Sequence, residues 1–231
     1  MPNHNYQVPG KRDYRLRTRL WAEDRGSLIW KADSDKNQLV GAFCDLMGEQ
    51  NDEVPHALCL WEGSKFIGVD TDAKFIEPLA AKYPRGDQYD WITGNVFNLL
   101  NGDSRLDDVV FLNLDLEEPT DADLEDRLDY LKHWAGRAVR RFQEAALTIN
   151  LMMDDVPRRG KKRSECLRNS TTTIANALSG YLEGRRIDPD QLLPKTSLKK
   201  IDDTTFTGIV GAYDIYKSKT YRMANLRLML R

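Results

Sequence analysis

A chain of 231 residues is long enough for one good-sized core, or at most for two small domains. Its formal net charge of -2, with 41% hydrophobic and 30% charged residues, marks an ordinary globular composition and excludes a polycation that coats nucleic acid. No apolar run approaches the roughly 20 residues that span a bilayer. The polar stretch Met1–Gly10 has no apolar core of a signal peptide, so a cytoplasmic protein with no membrane partner is expected.

Cys44, Cys59 and Cys166 are isolated from one another, which argues against a disulfide framework or a zinc site. The basic residues are unevenly spread. Lys11 to Arg19 holds five of them against one acid, and the segment 157–168 holds Arg158, Arg159, Lys161, Lys162, Arg163 and Arg168 against one acid. Such runs are either solvated loops or contacts for a polyanion, here DNA or RNA.

Residues 1–26 read as an irregular basic arm and 27–231 as a single domain. Ser27–Trp30 is a short apolar run. Ser34 reads as a helix N-cap, and Leu39, Phe43, Leu46 and Met47 follow at helical spacing, predicting a helix that ends near Gly48. His56–Trp61 is a buried-strand pattern only four residues before the next strand, Phe66–Val69. Four residues cannot hold a parallel crossover. Either the two runs form a hairpin, or His56–Trp61 is not the first parallel strand.

Thr71 or Asp72 caps a helix bearing Phe75, Ile76, Leu79, Ala80 and Tyr83. Pro78 inside it predicts a kink, or a start only near Glu77. Trp91–Val96 is a strand end, Phe97–Leu100 a helical turn and Asp107–Leu114 a strand. Asp121 or Asp123 caps a long helix with Leu124, Leu128, Leu131, Ala135, Ala138 or Val139, and Phe142 on one face. Ala145–Met152 is a further buried strand. Ser164 opens a helix stopped by Gly184. The closing segment reads as two strands, Phe206–Tyr213 and Met223–Leu230, around a loop at Tyr216–Tyr221.

Strands and helices that alternate predict an α/β fold: a Rossmann-like three-layer αβα sandwich, its sheet mostly parallel with a C-terminal antiparallel β-hairpin. Three apolar runs end in acidic, amide or small residues: Phe66 to Asp70 and Asp72, Trp91 to Asn95, and Val109 to Asp115. Ligands in such sheets bind outside those strand ends.

This order resembles the class I S-adenosylmethionine-dependent methyltransferase fold from about Ser34 to Arg231, most sharply over Phe66–Leu116. The pattern is also similar to phage- and mobile-element-encoded methyltransferase-like proteins. The resemblance implies S-adenosylmethionine as cofactor. It places Asp70 on the ribose hydroxyls, with Gly68 and Asp72 beside it, and puts Gly94, Asn95 and Val96, with Phe97 as a further candidate, beside the adenine. Asn113 and Asp115 fall at the reaction site. Glu62 and Gly63 stand nearest to the family's glycine-rich turn, whose G-x-G is missing here. Where amino-methylating enzymes of the family carry Asp or Asn, two prolines and an aromatic, this chain has Asp115-Leu116-Glu117-Glu118-Pro119.

The implied activity is methyl transfer to a nucleic acid or a protein, with Arg158, Arg159, Lys161, Lys162 and Arg163 steering a polyanionic target. An inactive member of the fold, serving nucleic-acid binding or assembly, is the alternative. A nicotinamide-dependent enzyme lacks its glycine fingerprint as well. A metal-dependent phosphodiesterase would need Asp70, Asp72, Asp115 and Glu117 to converge.

Overall fold

A computed structural model describes residues 41–47, 65–119, 124–152, 173–174, 176–181, 197–200, 206–210, 213–217 and 222–231. Among these residues, nine strands form one sheet in the order β3-β2-β1-β4-β5-β9-β8-β7-β6. The first five are β1 (Ala42–Leu46), β2 (Lys65–Asp70), β3 (Tyr89–Thr93), β4 (Val109–Pro119) and β5 (Ala145–Met152). They are parallel throughout. The rest are β6 (Ser197–Lys200), β7 (Phe206–Val210), β8 (Tyr213–Lys217) and β9 (Arg222–Leu230), all antiparallel.

Helix α1 (Ala73–Lys82) connects β2 to β3. The short α2 (Val96–Leu100) follows β3, and α3 (Leu124–Phe142) connects β4 to β5. From β1 the connections run outward in opposite directions, towards β3 on one side and β5 on the other. Right-handed crossovers therefore place α1 and α3 on opposite faces, which makes the three-layer αβα sandwich. The central strands are buried on both faces: Val109 to Leu112 and Ala145 to Leu147 have no exposed surface. Trp134 on α3 closes one side, its indole Nε1 donating to the Val109 carbonyl at 3.1 Å. Among the described residues, no helix is long and apolar enough to cross a membrane.

Four expectations change. Residues 42–46 are the central first strand, not a helix. Phe43, Leu46 and Met47 have helical spacing, but the apolar run Ala42-Phe43-Cys44 is also that of a strand buried on both sides, and burial decides. Second, the two alternatives for His56–Trp61 narrow to the one in which it is not the first parallel strand: residues 42–46 hold that place, and both edges of β2 are taken, by β1 and β3. His56–Trp61, Ser34 and Leu39 lie outside the described residues.

Third, α1 begins at Ala73 and passes through Pro78. Asp72 caps it, its side chain accepting from the Lys74 amide. Fourth, the end of the chain forms three strands. Phe206–Tyr213 divides between β7 and β8, and part of the expected loop, Tyr216 and Lys217, pairs in β8. The antiparallel part is thus larger than a hairpin, and β6 extends it.

Candidate functional site at the carboxyl ends of the strands

The strand order reverses between β1 and β4. In an open α/β sheet this is the switch point, and the crevice outside the carboxyl ends there is where ligands bind. Registry across the seam pairs Asp45 of β1 with Gly68 of β2 on one side and Asn113 of β4 on the other.

Side chains on a strand alternate between faces, so registry sorts one face of the sheet into rows. The first row is apolar and runs Tyr89, Phe66, Phe43, Phe111, Ala146, Met229. Phe43 stacks on Phe111 with centroids 4.7 Å apart and meets Phe66 at 5.4 Å. Two residues nearer the rim, the second row reads Trp91, Gly68, Asp45, Asn113, Thr148, Arg227. A third row holds Asp70 opposite Thr93, and Asp115, Asn150 and Asn225 side by side. A dry aromatic floor thus gives way to polar groups only at the strand ends.

These polar groups are joined. Asn113 Nδ2 donates to Asp45 Oδ1 at 2.8 Å, and the Thr148 hydroxyl donates to Asn113 Oδ1. Asn150 Nδ2 donates to Asp115 Oδ1 at 3.0 Å, and Asn225 Nδ2 to Asn150 Oδ1 at 2.7 Å. Thr148, Asn150 and Asn225 have no exposed surface, and such groups are tolerated inside a sheet only when bonded in this way.

Asp70 stands half-buried at the end of β2. Its Oδ1 accepts from the Asp72 amide at 2.8 Å, and its main-chain carbonyl accepts from the Gly94 amide at 2.8 Å. Burial pushes its carboxyl above the ordinary range, against the amide hydrogen bond that lowers it. Asp72 is the reverse case. Its hydrogen bond and ion pair with Lys74, at 2.5 Å, hold its carboxyl low, and its side chain serves as the cap of α1.

Asn95 caps α2 in the same manner, accepting from the Phe97 amide at 2.9 Å, and Val96 is buried behind it. The space over Gly68 is filled. A Cβ there would lie 2.5 Å from Trp91 Cζ3 and 3.0 Å from Met47 Cγ, so the glycine lets the indole lie across β2.

Of the residues singled out in the sequence, Gly68, Asp70, Asn95, Asn113 and Asp115 therefore lie towards the carboxyl ends of three strands, β2, β3 and β4, with β1 between β2 and β4 in the sheet. Glu62 and Gly63, with Arg158, Arg159, Lys161, Lys162 and Arg163, lie outside the described residues. Among the described residues, no three His, Cys, Asp or Glu side chains are grouped to hold a metal.

The sequence reading passed over Asp45, Thr148, Asn150, Asn225 and Arg227. The signal was present. Asp45 interrupts the apolar run Ala42–Met47, and Thr148/Asn150 and Asn225/Arg227 interrupt apolar strands at the two-residue spacing of Asn113/Asp115.

The acidic rim fits S-adenosylmethionine in the chemistry of its donor set. That molecule presents a ribose diol, an ammonium and a sulfonium, all of which seek acceptors or negative charge. Asp45, Asp70 and Asp115 supply carboxylates on three strands around the switch point.

No family model matches the chain, and no curated protein sequence does. Solved structures with a similar course include the fibrillarin pre-rRNA processing protein of Methanococcus jannaschii, with 9% identity, a TM-score of 0.46, and 82% of this chain against 66% of that one. Aeropyrum pernix fibrillarin, solved with natively bound S-adenosyl-L-methionine, shares 10% identity at a TM-score of 0.43, covering 82% and 67%. The N-methyltransferase NodS of Bradyrhizobium japonicum WM9 shares 12% at 0.43, covering 96% and 98%. The chain spans just under two thirds of the first fibrillarin and 48% of TrmN from Thermus thermophilus.

Proposed function

We propose that this chain binds S-adenosylmethionine at the β1–β2–β3 side of the switch point and is a methyltransferase acting on a nucleic acid or a protein. The observation that carries the reading is the placement of Asp45, Asp70 and Asp115 towards the carboxyl ends of β1, β2 and β4, at and beside the reversal in strand order. The bound cofactor would supply an electrophilic methyl group. The protein's part is to hold it and to orient the acceptor, since methyl transfer asks chiefly for alignment of two partners.

Asp70 would receive the two ribose hydroxyls. Its partly buried carboxylate accepts one amide bond and has capacity for more, and two further donors would offset the burial that raises its proton affinity. Asn95, at the turn after β3, would border the adenine beside buried Val96. Asn113 is engaged at both ends of its amide, so its part is to hold Asp45 in place. Asp115 would face the acceptor. The basic segment at residues 157–168 would attract a polyanionic one.

The test is transfer of labelled methyl groups from S-adenosylmethionine to RNA, DNA and mixed protein. Incorporation into one class that is lost in Asp70→Ala supports the reading. No incorporation into any class, from folded protein, counts against it.

One feature favours a second reading, a non-catalytic nucleic-acid-binding member of the fold. β1 is followed by Met47-Gly48-Glu49-Gln50, with a single glycine where the family carries several. That reading expects no cofactor affinity, with salt-dependent DNA or RNA binding that is weakened when Arg158, Arg159, Lys161, Lys162 and Arg163 are neutralised.

A further inference from the structure

Asp115 ends a chain of hydrogen bonds whose direction is fixed at both ends. A carboxylate only accepts and a guanidinium only donates. Arg227 Nε donates to Asn225 Oδ1 at 3.0 Å, Asn225 Nδ2 to Asn150 Oδ1 at 2.7 Å, and Asn150 Nδ2 to Asp115 Oδ1 at 3.0 Å. The two amides are therefore aligned head to tail, their oxygens towards the cation and their NH2 groups towards the anion. Both are fully buried, where bonds in series polarise one another. The neighbouring chain from Thr148 through Asn113 to Asp45 starts instead from a neutral hydroxyl.

The sheet does not require this arrangement. β5 and β9 already pair through eight registered positions, from Ala145 with Leu230 to Met152 with Met223. Apolar side chains at 150 and 225 would extend the core without the cost of burying two amides. What the chain adds is a fixed position for Asp115 and a positive charge wired to it.

We propose that Asn150, Asn225 and Arg227 are positioning residues that hold Asp115 ionised and oriented at the rim, as the acceptor for an N–H or O–H group of the molecule to be methylated. The identity of that molecule's role rests on the methyltransferase reading; the positioning of Asp115 does not. The class of acceptor follows from charge: a neutral or cationic group bearing a proton is received, and an anionic one is repelled. Registry places on this face, among the described residues, the acids Asp45, Asp70 and Asp115, with Asp214 of β8 beside Asn225, and the bases Arg227 and, on β6, Lys199. The other acids favour protonation of Asp115, and the bases oppose it.

The test is a carbon-detected NMR titration of the Asp115 carboxyl in the full chain without ligand. In Arg227→Met its midpoint rises by about one pH unit. In Asn225→Leu, which keeps the guanidinium and breaks the chain, it rises by less. If the methionine variant does not fold, Arg227→Gln removes the charge and keeps a donor, and the same rise is expected. An unchanged midpoint in a folded charge-removing variant overturns the proposal. Because no ligand is present, that outcome is separate from whether the cofactor binds.

Discussion

Asn113 on β4 donates its amide to the carboxylate of Asp45 on β1, 2.8 Å away, across the seam where the sheet reverses direction. Its oxygen accepts from the buried hydroxyl of Thr148. One side chain thus joins three strands at the centre of the proposed site, with 8% of its surface exposed.

Replacing that amide by a hydrocarbon of similar size takes the acceptor from the buried Thr148 hydroxyl and one donor from Asp45. Asn113→Leu should destabilise the fold by about 1–3 kcal/mol, the cost of a buried polar group that loses its partner. Urea denaturation reads it as a lower midpoint at unchanged slope. A midpoint equal to that of the unaltered protein would show that the amide is dispensable to the seam.

Gly68 should not tolerate a methyl group. Gly68→Ala brings a Cβ against the Trp91 ring, and overpacking of this kind costs about 1–3 kcal/mol. The penalty is expected to shrink when Trp91→Leu is present, since the two residues share one space. Thermal unfolding of the two single variants and the double variant supplies the cycle, and strict additivity would contradict the packing argument.

Two aspartates should shape the acid response with opposite signs. Hydrogen bonding from the Arg105 side chain is the main cause holding Asp103 at about 2, aided by the Arg105 amide. Its contribution is full above the ordinary carboxylate value and is lost as pH falls towards 2. The pair is solvent-facing, so the amplitude is small. Asp103→Asn should therefore be less stable than the unaltered protein at pH 5, and the gap should close near pH 2.

Asp70 is raised by burial, so its ionised form opposes folding above the folded-state value and the penalty vanishes in acid. Asp70→Asn keeps an oxygen for the Asp72 amide. It should be at least as stable as the unaltered protein at pH 7, an advantage that disappears below about pH 4. Denaturation curves at both pH values check it; a less stable variant at pH 7 would show that the carboxylate earns its place structurally.

Much of this layout was legible in the sequence because apolar runs give way to polar residues where the strands reach the rim. Phe66-Ile67-Gly68-Val69 stops at Asp70, where β2 ends, and the run Val109 to Leu112 gives way to Asn113 and Asp115, although β4 itself continues to Pro119. Helix α3 was legible from its apolar face, to which the structure adds Trp134. β1 was not, because a strand of five residues set between two neighbouring strands carries no period that separates strand from helix. The amide chain was not legible either. Its members lie on three strands far apart in sequence, and only registry shows that Asp115, Asn150 and Asn225 share one row.

The central claim is that the rim holds S-adenosylmethionine through Asp70. Titration calorimetry with S-adenosylmethionine and S-adenosylhomocysteine, on the unaltered chain and on Asp70→Asn, tests it most directly. The account predicts micromolar binding, about -8 kcal/mol, to the unaltered chain and a loss of at least about tenfold in the variant, roughly 1.4 kcal/mol. No heat from folded protein, or equal affinity in the two proteins, would contradict it.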